Sequence, residues 1–483
     1  MALTEQQIHE ITEEIVRELM RSGTIGARED ASAGRGSPGD PQPVAPHWLC
    51  EGVDEAVSSA KHAQQALADM TLARRGEIIA AMRVAAVEHA ARLAELAHQE
   101  TGYGHVEDKI KKNLLVAKGT PGIEDLITEA HTGDRGMTLV ERAPFGVVGS
   151  VTPSTNPTAT VINNAISMVA AGNAVVFNPH PAAKRASQEA MRVLNEAVEA
   201  AGGPPSLVTT VREPTQETGL ALMAHRDIPL LSITGGEAVV RLAMGSGKRV
   251  IAAGPGNPPV IVDDTADMAE AAQRIVDGAS FDNNVLCVAE KEVFAFASIT
   301  EKLMEEMALH GALRIAGGDI DKVVRTVLVE KNGQYSPNRA YVGRDAAVIL
   351  RDSGVAFSGN PRLVIAQVDR DHPFIHTEML MPVLGIVRVR DIDEAVDEAV
   401  RAEQGNRHSA MIHSANVHHM SKAARRLNTT IFVKNASSYA GLGFGGEGHP
   451  TMTIATPTGE GITSARTFTR YRRCVLYGDF RIC

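Results

Sequence analysis

The feature that most narrows the fold is an alternation of apolar runs with helical stretches between residues 145 and 252. Phe145–Val151, Ala174–Phe177, Leu207–Val211, Ile228–Ile233 and Arg249–Ala252 read as strands, and Thr158–Ala171, Ala182–Ala201 and Glu237–Met244 as helices. Strands joined through helices run parallel, because a tight hairpin cannot connect them. The pattern therefore predicts an α/β fold with a helix-covered, doubly wound parallel sheet. A second α/β unit is expected from about Gly254 to Asn435, with strands at Val260–Val262, Val293–Phe296, Arg362–Ala366, Val383–Val389 and Thr430–Val433. Upstream, Val53 to about Ala130 reads as helical and Ala-rich, with one helix ending at Gly102 and a break at Thr120-Pro121-Gly122. Two strand-like segments, Thr138–Arg142 and residues 463–480, stand apart from both units.

A chain of 483 residues exceeds one ordinary core,. With 44% hydrophobic against 22% charged residues it can fill its cores, so it is globular rather than disordered,. A formal charge of −10 argues against nucleic acid as a bulk partner,. Four cysteines (Cys50, Cys287, Cys474, Cys483) at wide spacing make neither a disulfide framework nor a zinc pattern, so no metal is expected,. No apolar run approaches the roughly 20 residues of a membrane helix, and the N-terminus lacks a basic start with an apolar core,. A reducing cytosolic compartment fits best, with no membrane partner.

Residues 4–21 read as a short amphipathic helix. Thr4 and Gln7 make a capping-box pattern, Ile8, Ile11, Ile15 and Leu19 form an apolar stripe, and Glu10, Glu13, Glu14, Arg17 and Arg21 fall opposite,. Residues 22–47, rich in Gly and Pro, read as a flexible tether,. An isolated helix of this length is marginal in water, so its stripe wants a partner, either the chain's own body or another protein.

Three stretches carry chemistry. Cys287 lies in Ser280-Phe281-Asp282-Asn283-Asn284-Val285-Leu286-Cys287, just before an expected buried strand. Alone it reads as a small buried hydrophobe, yet a thiolate there is a good nucleophile toward a carbonyl. Val151-Thr152-Pro153-Ser154-Thr155-Asn156-Pro157 follows a strand and precedes a helix, where such sheets bind ligands,. The Asn156 amide is a neutral donor suited to a developing oxyanion. Thr234-Gly235-Gly236-Glu237 also joins strand to helix, and its glycines admit phosphate to a helix N-terminus, or make a plain tight turn,.

Asn156, Gly235-Gly236, Cys287 and Thr377-Glu378-Met379-Leu380-Met381-Pro382-Val383 occur in the order and approximate spacing of the aldehyde dehydrogenase superfamily. The chain resembles its CoA-acylating branch, the acetaldehyde and propionaldehyde dehydrogenases of bacterial microcompartments, over residues 50 to 480. Asn173 to Pro181 and Asn284-Val285-Leu286-Cys287 are similar to that branch in particular.

That resemblance implies a fold of two doubly wound domains with a small β oligomerisation arm. It implies an N-terminal targeting helix at 1–21, a linker at 22–47, and an NAD- and CoA-binding domain at 48–253, with 131–143 contributing to the arm. A catalytic domain at 254–435 and a return to cofactor domain and arm at 436–483 complete the layout. Cys287 would attack the aldehyde, with Asn156 and the Cys287 N–H stabilising the oxyanion, and oxidation by NAD would leave a thioester. Glu378 corresponds to the glutamate on the nicotinamide ribose, and Thr152, Pro153, Asn178, Pro179, His180, Gly235 and Gly236 to further cofactor contacts.

Two departures from hydrolytic members stand out. The position of their water-activating glutamate is Ala252, and their ribose-binding lysine is replaced by Asn178. Both favour a thiol acceptor, coenzyme A, over water. The expected reaction converts a short-chain aldehyde, CoA and NAD reversibly to acyl-CoA and NADH. The alternatives are a hydrolytic aldehyde dehydrogenase or a non-catalytic shell-associated protein. The resemblance also implies a homodimer or homotetramer, and a place in the bacterial cytoplasm inside a microcompartment. There residues 4–21, which resemble an encapsulation peptide, would bind shell or other cargo proteins. His372, His376, His418 and His419 form no metal pattern with a nearby Cys, and Phe444 either lines the aldehyde pocket or sits in a flexible loop.

Overall fold

A computed structural model describes residues 47–482. The helix read at 4–21 and all of the tether except His47 lie outside the described residues. The body opens with β1 (Leu49–Cys50) and four helices, α1 (Val53–Ala68), α2 (Leu72–Glu88), α3 (Ala90–Thr101) and α4 (Val106–Gly119). Thr71 starts α2 by accepting the Arg74 N–H at 3.2 Å, and Gly102, at φ 67°, closes α3,.

The helical reading fails after Gly119. Pro121 lacks an N–H and disfavours helical geometry at the residue before it. The chain then makes a 3₁₀ turn at Ile123–Asp125 and enters β2 (Glu129–Gly133), antiparallel to β3 (Gly136–Pro144). The polar β2 has no apolar face of its own, and pairing holds it extended.

The alternating region then forms β4 (Val147–Thr152), α5 (Pro157–Ala170), β5 (Ala174–Pro179), α6 (Lys184–Ala200), β6 (Val208–Val211), α7 (Gln216–Ala224), β7 (Leu230–Thr234), α8 (Glu237–Met244) and β8 (Arg249–Ala253). With β1 these strands make a parallel sheet in the order β1-β6-β5-β4-β7-β8. The chain leaves β4 for β5 on one side and returns to β7 on the other. The carboxyl ends of β4 and β7 therefore flank a switch-point crevice, where such sheets bind ligands.

The second unit comprises β9 (Pro259–Val262), α9 (Met268–Ser280), β10 (Glu292–Phe296), α10 (Thr300–Leu309), β11 (Ala312–Ile315) and α11 (Gly318–Val327). A hairpin follows, β12 (Leu328–Lys331) with β13 (Gln334–Pro337), then α12 (Ala346–Asp352), β14 (Leu363–Gln367) and α13 (Pro373–His376). The unit ends with β15 (Val383–Val389), α14 (Ile392–Glu403), β16 (Ser409–His413), α15 (Val417–Leu427) and β17 (Ile431–Lys434). Its parallel sheet runs β11-β14-β15-β10-β9-β16-β17. The five expected strands are present. The sequence reading missed β11, an edge strand carrying the exposed Arg314, and β16, whose ends are the buried polar Ser409 and His413.

The chain finally forms a short pair, β18 (Ile454–Ala455) with β19 (Gly461–Ile462), and β20 (Thr469–Tyr477), which pairs with β3 along its whole length. The sheet β2-β3-β20 stands apart, and β20 is exposed at every residue after Thr469.

The core sits under β4. Every residue of α5 is buried, and α5 packs against α2, α4 and α6. Side chains such as Ile162 and Ile166 each contribute roughly 1.5–3 kcal/mol by leaving water,. We expect Ile166→Ala to lower unfolding free energy by about 2–4 kcal/mol in urea titrations. Leu242→Ala, on the exposed side of α8, should change it by less than about 0.5 kcal/mol,.

Candidate active site

The loop that carries Cys287 begins where α9 ends. Asp282, Asn283 and Asn284 follow one another at φ 48°, 53° and 65°, a left-handed run without glycine. Each such residue costs about 1–2 kcal/mol, least for Asp and Asn, whose side chains can bond locally. Here every one is anchored. Asn283 donates to the Gly343 carbonyl at 3.0 Å and to Asp345 at 2.7 Å. Asn284 donates to the carbonyls of Ala279 at 2.8 Å and Glu290 at 2.9 Å. The buried Lys291 ammonium donates to the Asn284 side chain and to the carbonyls of Asn284 (2.9 Å) and Leu286 (3.2 Å).

Asp282 is the hub. Its carboxylate accepts from the His105 N–H at 2.7 Å, from Lys109 Nζ at 3.0 Å and from Lys112 Nζ. Its own N–H donates to Asp108 at 2.9 Å. Asp282 belongs to the second unit and the two lysines to α4, so the cluster bolts the units together beside the Cys287 loop. Gly104 shows how close the fit is: a Cβ there would lie 1.8 Å from Asp282 Oδ1.

Cys287 is half-buried between the buried Leu286 and Val288. Desolvation first, and the charge of Glu378 second, push its thiol up to about 12, with Lys291 pulling the other way. Glu378 sits in the Thr377–Pro382 turn, anchored by the fully buried Met379 and Met381. Burial raises its carboxyl above the usual range, opposed by Lys291 and by the Gly256 N–H. His408 is buried and held down to about 4 by desolvation and Lys291, so it is neutral. Its Nδ1 bonds Ser409 Oγ at 2.9 Å, while Nε2 has no partner among the described residues.

The opposite wall comes from the first unit. Asn156, at the start of α5, accepts on Oδ1 from Lys112 Nζ at 2.5 Å and donates from Nδ2 to Thr155 Oγ1 at 3.3 Å. At the end of β4, Thr152 Oγ1 is buried without a partner among the described residues. Across the switch point, α8 starts at Gly236 with no side-chain cap, and nothing lies within 4 Å of a Cβ placed there. An orphaned hydroxyl and an open helix N-terminus fit a dinucleotide phosphate.

Asn178 behaves differently from a free ribose contact. Its amide donates to the Thr215 carbonyl at 3.2 Å and accepts from Thr218 Oγ1 at 2.6 Å, so it braces the capping box of α7. Pro179 is buried beside it, while His180 is exposed and held below its ordinary range by desolvation and by Arg339. Ala252, next to the carboxyl end of β8 and paired with Ile233 of β7, is fully buried in the apolar core, and its N–H donates to Thr458 Oγ1 at 3.0 Å.

Three of the four histidines weighed from the sequence have side-chain partners. His372 packs edge-on against Phe374, His376 bonds the Arg370 carbonyl and His419 bonds Asp263. Among the described residues no three His, Cys, Asp or Glu cluster as a metal site. Phe444 packs against Phe281 and Tyr439 at ring-centroid distances of 6.1 and 5.3 Å. Sequence reasoning missed Lys109, Lys112, Asp282, Lys291 and His408. The only signal for the first pair was two lysines three apart inside a charged helical run, which reads as a solvated face.

Two outcomes follow from these charges. Glu378→Gln should lower the pH midpoint for Cys287 alkylation by iodoacetamide, while leaving it above about 9, because desolvation is the larger cause. An unchanged midpoint would separate Glu378 from the thiol. Asp108 first, then Asp345, push the His105 imidazole up to about 10. A raised folded value stabilises fully below the unfolded value near 6.5 and no longer once pH passes the folded one. The destabilisation by His105→Gln in urea should thus be greatest at or below about pH 6.5 and fade toward pH 10.

The aldehyde dehydrogenase family model matches residues 45–453. Over all of both chains, aligned over 491 residues, the sequence is 48% identical to an acetaldehyde dehydrogenase (acetylating) of Bilophila wadsworthia. A propionaldehyde dehydrogenase from the fucose utilisation bacterial microcompartment of Clostridium phytofermentans superposes with TM-score 0.88 at 48% identity, covering 90% of this chain and 100% of that one. The propionaldehyde dehydrogenase of Rhodopseudomonas palustris with bound CoA and an acylated cysteine gives TM-score 0.87 at 43% identity, covering 90% and 99%.

Proposed function

The chain belongs to the aldehyde dehydrogenase family, and on that premise we propose that it is CoA-acylating, converting acetaldehyde or propionaldehyde, CoA and NAD reversibly to acyl-CoA and NADH. The observation that carries this reading is a pinned cysteine loop beside an amide donor, with an alanine where a hydrolytic base would stand.

Cys287 Sγ attacks the aldehyde carbon, its proton leaves, and the carbonyl oxygen becomes an oxyanion. Asn156 Nδ2 and the Cys287 N–H are the donors for that charge. NAD, when bound, supplies the oxidant that takes the hydride equivalent from the former aldehyde carbon. The product on the chain is a thioester at Cys287, and the CoA sulfur then displaces it. With desolvation pushing the thiol up to about 12, the thiolate is the minor form near neutral pH,. Proton removal is thus the demanding part of the attack. The Glu378 carboxylate and the neutral His408, with its unpartnered Nε2, are the nearby groups able to accept that proton,. Thr152, Gly235 and Gly236 suit the phosphate region of NAD and CoA. Phe281, Tyr439 and Phe444 make an aromatic wall suited to a small apolar aldehyde tail.

The exposed β20, with Tyr471, Val475, Leu476 and Tyr477, is the surface through which copies of the chain would pair into a dimer or tetramer. Residues 4–21 would act as a targeting segment for a microcompartment shell. Among the described residues no helix is long and apolar enough to cross a membrane.

The test is NADH formation from acetaldehyde and propionaldehyde with and without CoA, with acyl-CoA and free acid both measured. We expect turnover to require CoA and to yield acyl-CoA, and Cys287→Ser to lose at least a thousandfold. Free acid formed as fast without CoA would make the enzyme hydrolytic. NADH formation by neither wild type nor Cys287→Ser would make it non-catalytic, and equal turnover by both would remove Cys287 as the nucleophile.

A further inference from the structure

We infer that Lys112 is a positioning residue for the oxyanion donor: it fixes which end of the Asn156 amide faces the reacting oxygen and ties that amide to the cysteine loop. This rests on the reading of Asn156 just given and deepens it.

Lys109 and Lys112 lie one helical turn apart on α4, and both are 3% exposed. Buried ammoniums need partners, and here two of them share one carboxylate, Asp282, which is fully buried,. One lysine and one aspartate would already balance. The second ammonium has a further contact, the 2.5 Å bond to Asn156 Oδ1.

The chemistry of that contact is one-sided. An ammonium has three donors and no acceptor, so only the oxygen end of a carboxamide can lie against it. The Asn156 NH₂ must then occupy the other end. One of its hydrogens is directed to Thr155 Oγ1 at 3.3 Å, which leaves the other for a ligand. Asn156 makes no side-chain cap to α5, so no helix contact fixes the amide instead. Without Lys112 the amide is free to rotate by half a turn and present its oxygen to a developing negative charge. The charged donor also draws electron density from the Asn156 carbonyl, making the N–H a stronger donor. Because the same Nζ is bonded to Asp282, at the start of the left-handed run leading to Cys287, donor and nucleophile share one anchor.

A double-mutant cycle on kcat tests this, with KM for aldehyde, CoA and NAD measured for each variant and folding checked by thermal melts. Asn156→Ala should cost about 100- to 1,000-fold in kcat, as for loss of one oxyanion donor. Lys112→Met should cost about 10- to 100-fold, with each KM within about twofold. The double variant should be no slower than Asn156→Ala by more than about threefold, because Lys112 acts through Asn156 while Lys109 and the His105 N–H still hold Asp282 in place. Lys112→Met within twofold of wild type, or losses that multiply in the double variant, would overturn the inference while leaving the Asn156 role intact. Asn156→Ala within tenfold of wild type would instead strike the oxyanion reading beneath it. Should Lys112→Met not fold, Lys112→Arg keeps the charge, moves the donor and takes its place in the cycle. A kcat loss seen only when Asn156 is present supports the clamp, and an equal loss on both backgrounds overturns it.

Discussion

Two lysines on α4 and one aspartate on the loop after α9, all buried, join the halves of this molecule at the point where its chemistry is expected. Burying ions costs several kcal/mol each unless geometry and extra hydrogen bonds offset it. The extra bonds are present: Asp282 takes a third donor from the His105 backbone, and its own N–H goes to Asp108. The benefit is conformational. Three consecutive non-glycine residues in the left-handed region would relax to an ordinary turn if left alone,. The cluster, together with the Asn283, Asn284 and Lys291 anchors, over-determines that run and so sets the direction in which Cys287 leaves it.

The arrangement of the two sheets explains why so few residues suffice. The first sheet presents its carboxyl edge, with the openings of α5 and α8. The second presents its amino edge, because the segments before β9, β10 and β15 carry Gly256, Cys287 and Glu378. A single segment, Gly254–Pro258, runs from the end of β8 straight into β9 and so crosses from one edge to the other. Gly256 lies where the pieces meet: a Cβ there would approach the His408 ring at 2.8 Å and the Cys287 carbonyl at 3.0 Å. Pro258 accepts the Lys291 N–H at 3.1 Å, which locks the crossing segment to the Cys287 loop.

This division also decides what could be read from the sequence. The parallel strands are apolar runs between helices, so β4 to β8 were legible to within one or two residues while the two-residue β1 was not, and Asn156, Gly235-Gly236, Cys287 and Glu378 stood out as motifs at strand or helix ends. What was not legible depends on pairing. β2 is polar and extended only because β3 is beside it, and β16 hides its polar ends by tertiary burial. Lys109, Lys112 and His408 look like surface residues until a fold buries them. Asn178 was legible as a departure from a family pattern, but its engagement with Thr215 and Thr218 depends on where α7 begins.

The choice of a thiol over water as acyl acceptor can be argued from proton inventory. Hydrolysis of a thioester to a carboxylate releases a proton and needs a base aligned on water, which is a weak nucleophile. Exchange between two thiols releases none: the CoA sulfur loses a proton and the Cys287 sulfur regains one. Desolvation here disfavours a bare thiolate on Cys287, so in the proposed reaction the cysteine would leave well only if protonated as the carbon–sulfur bond breaks. A group that has taken a proton from CoA can return it to Cys287, and neither a full negative charge nor a strong base need persist in the crevice. At the end of β8, where a hydrolytic base would stand, the chain places a buried Ala252 in apolar surroundings. A carboxyl there would be desolvated and held protonated. The environment that raises the cysteine therefore favours sulfur-to-sulfur transfer, and the missing carboxylate leaves water without a partner.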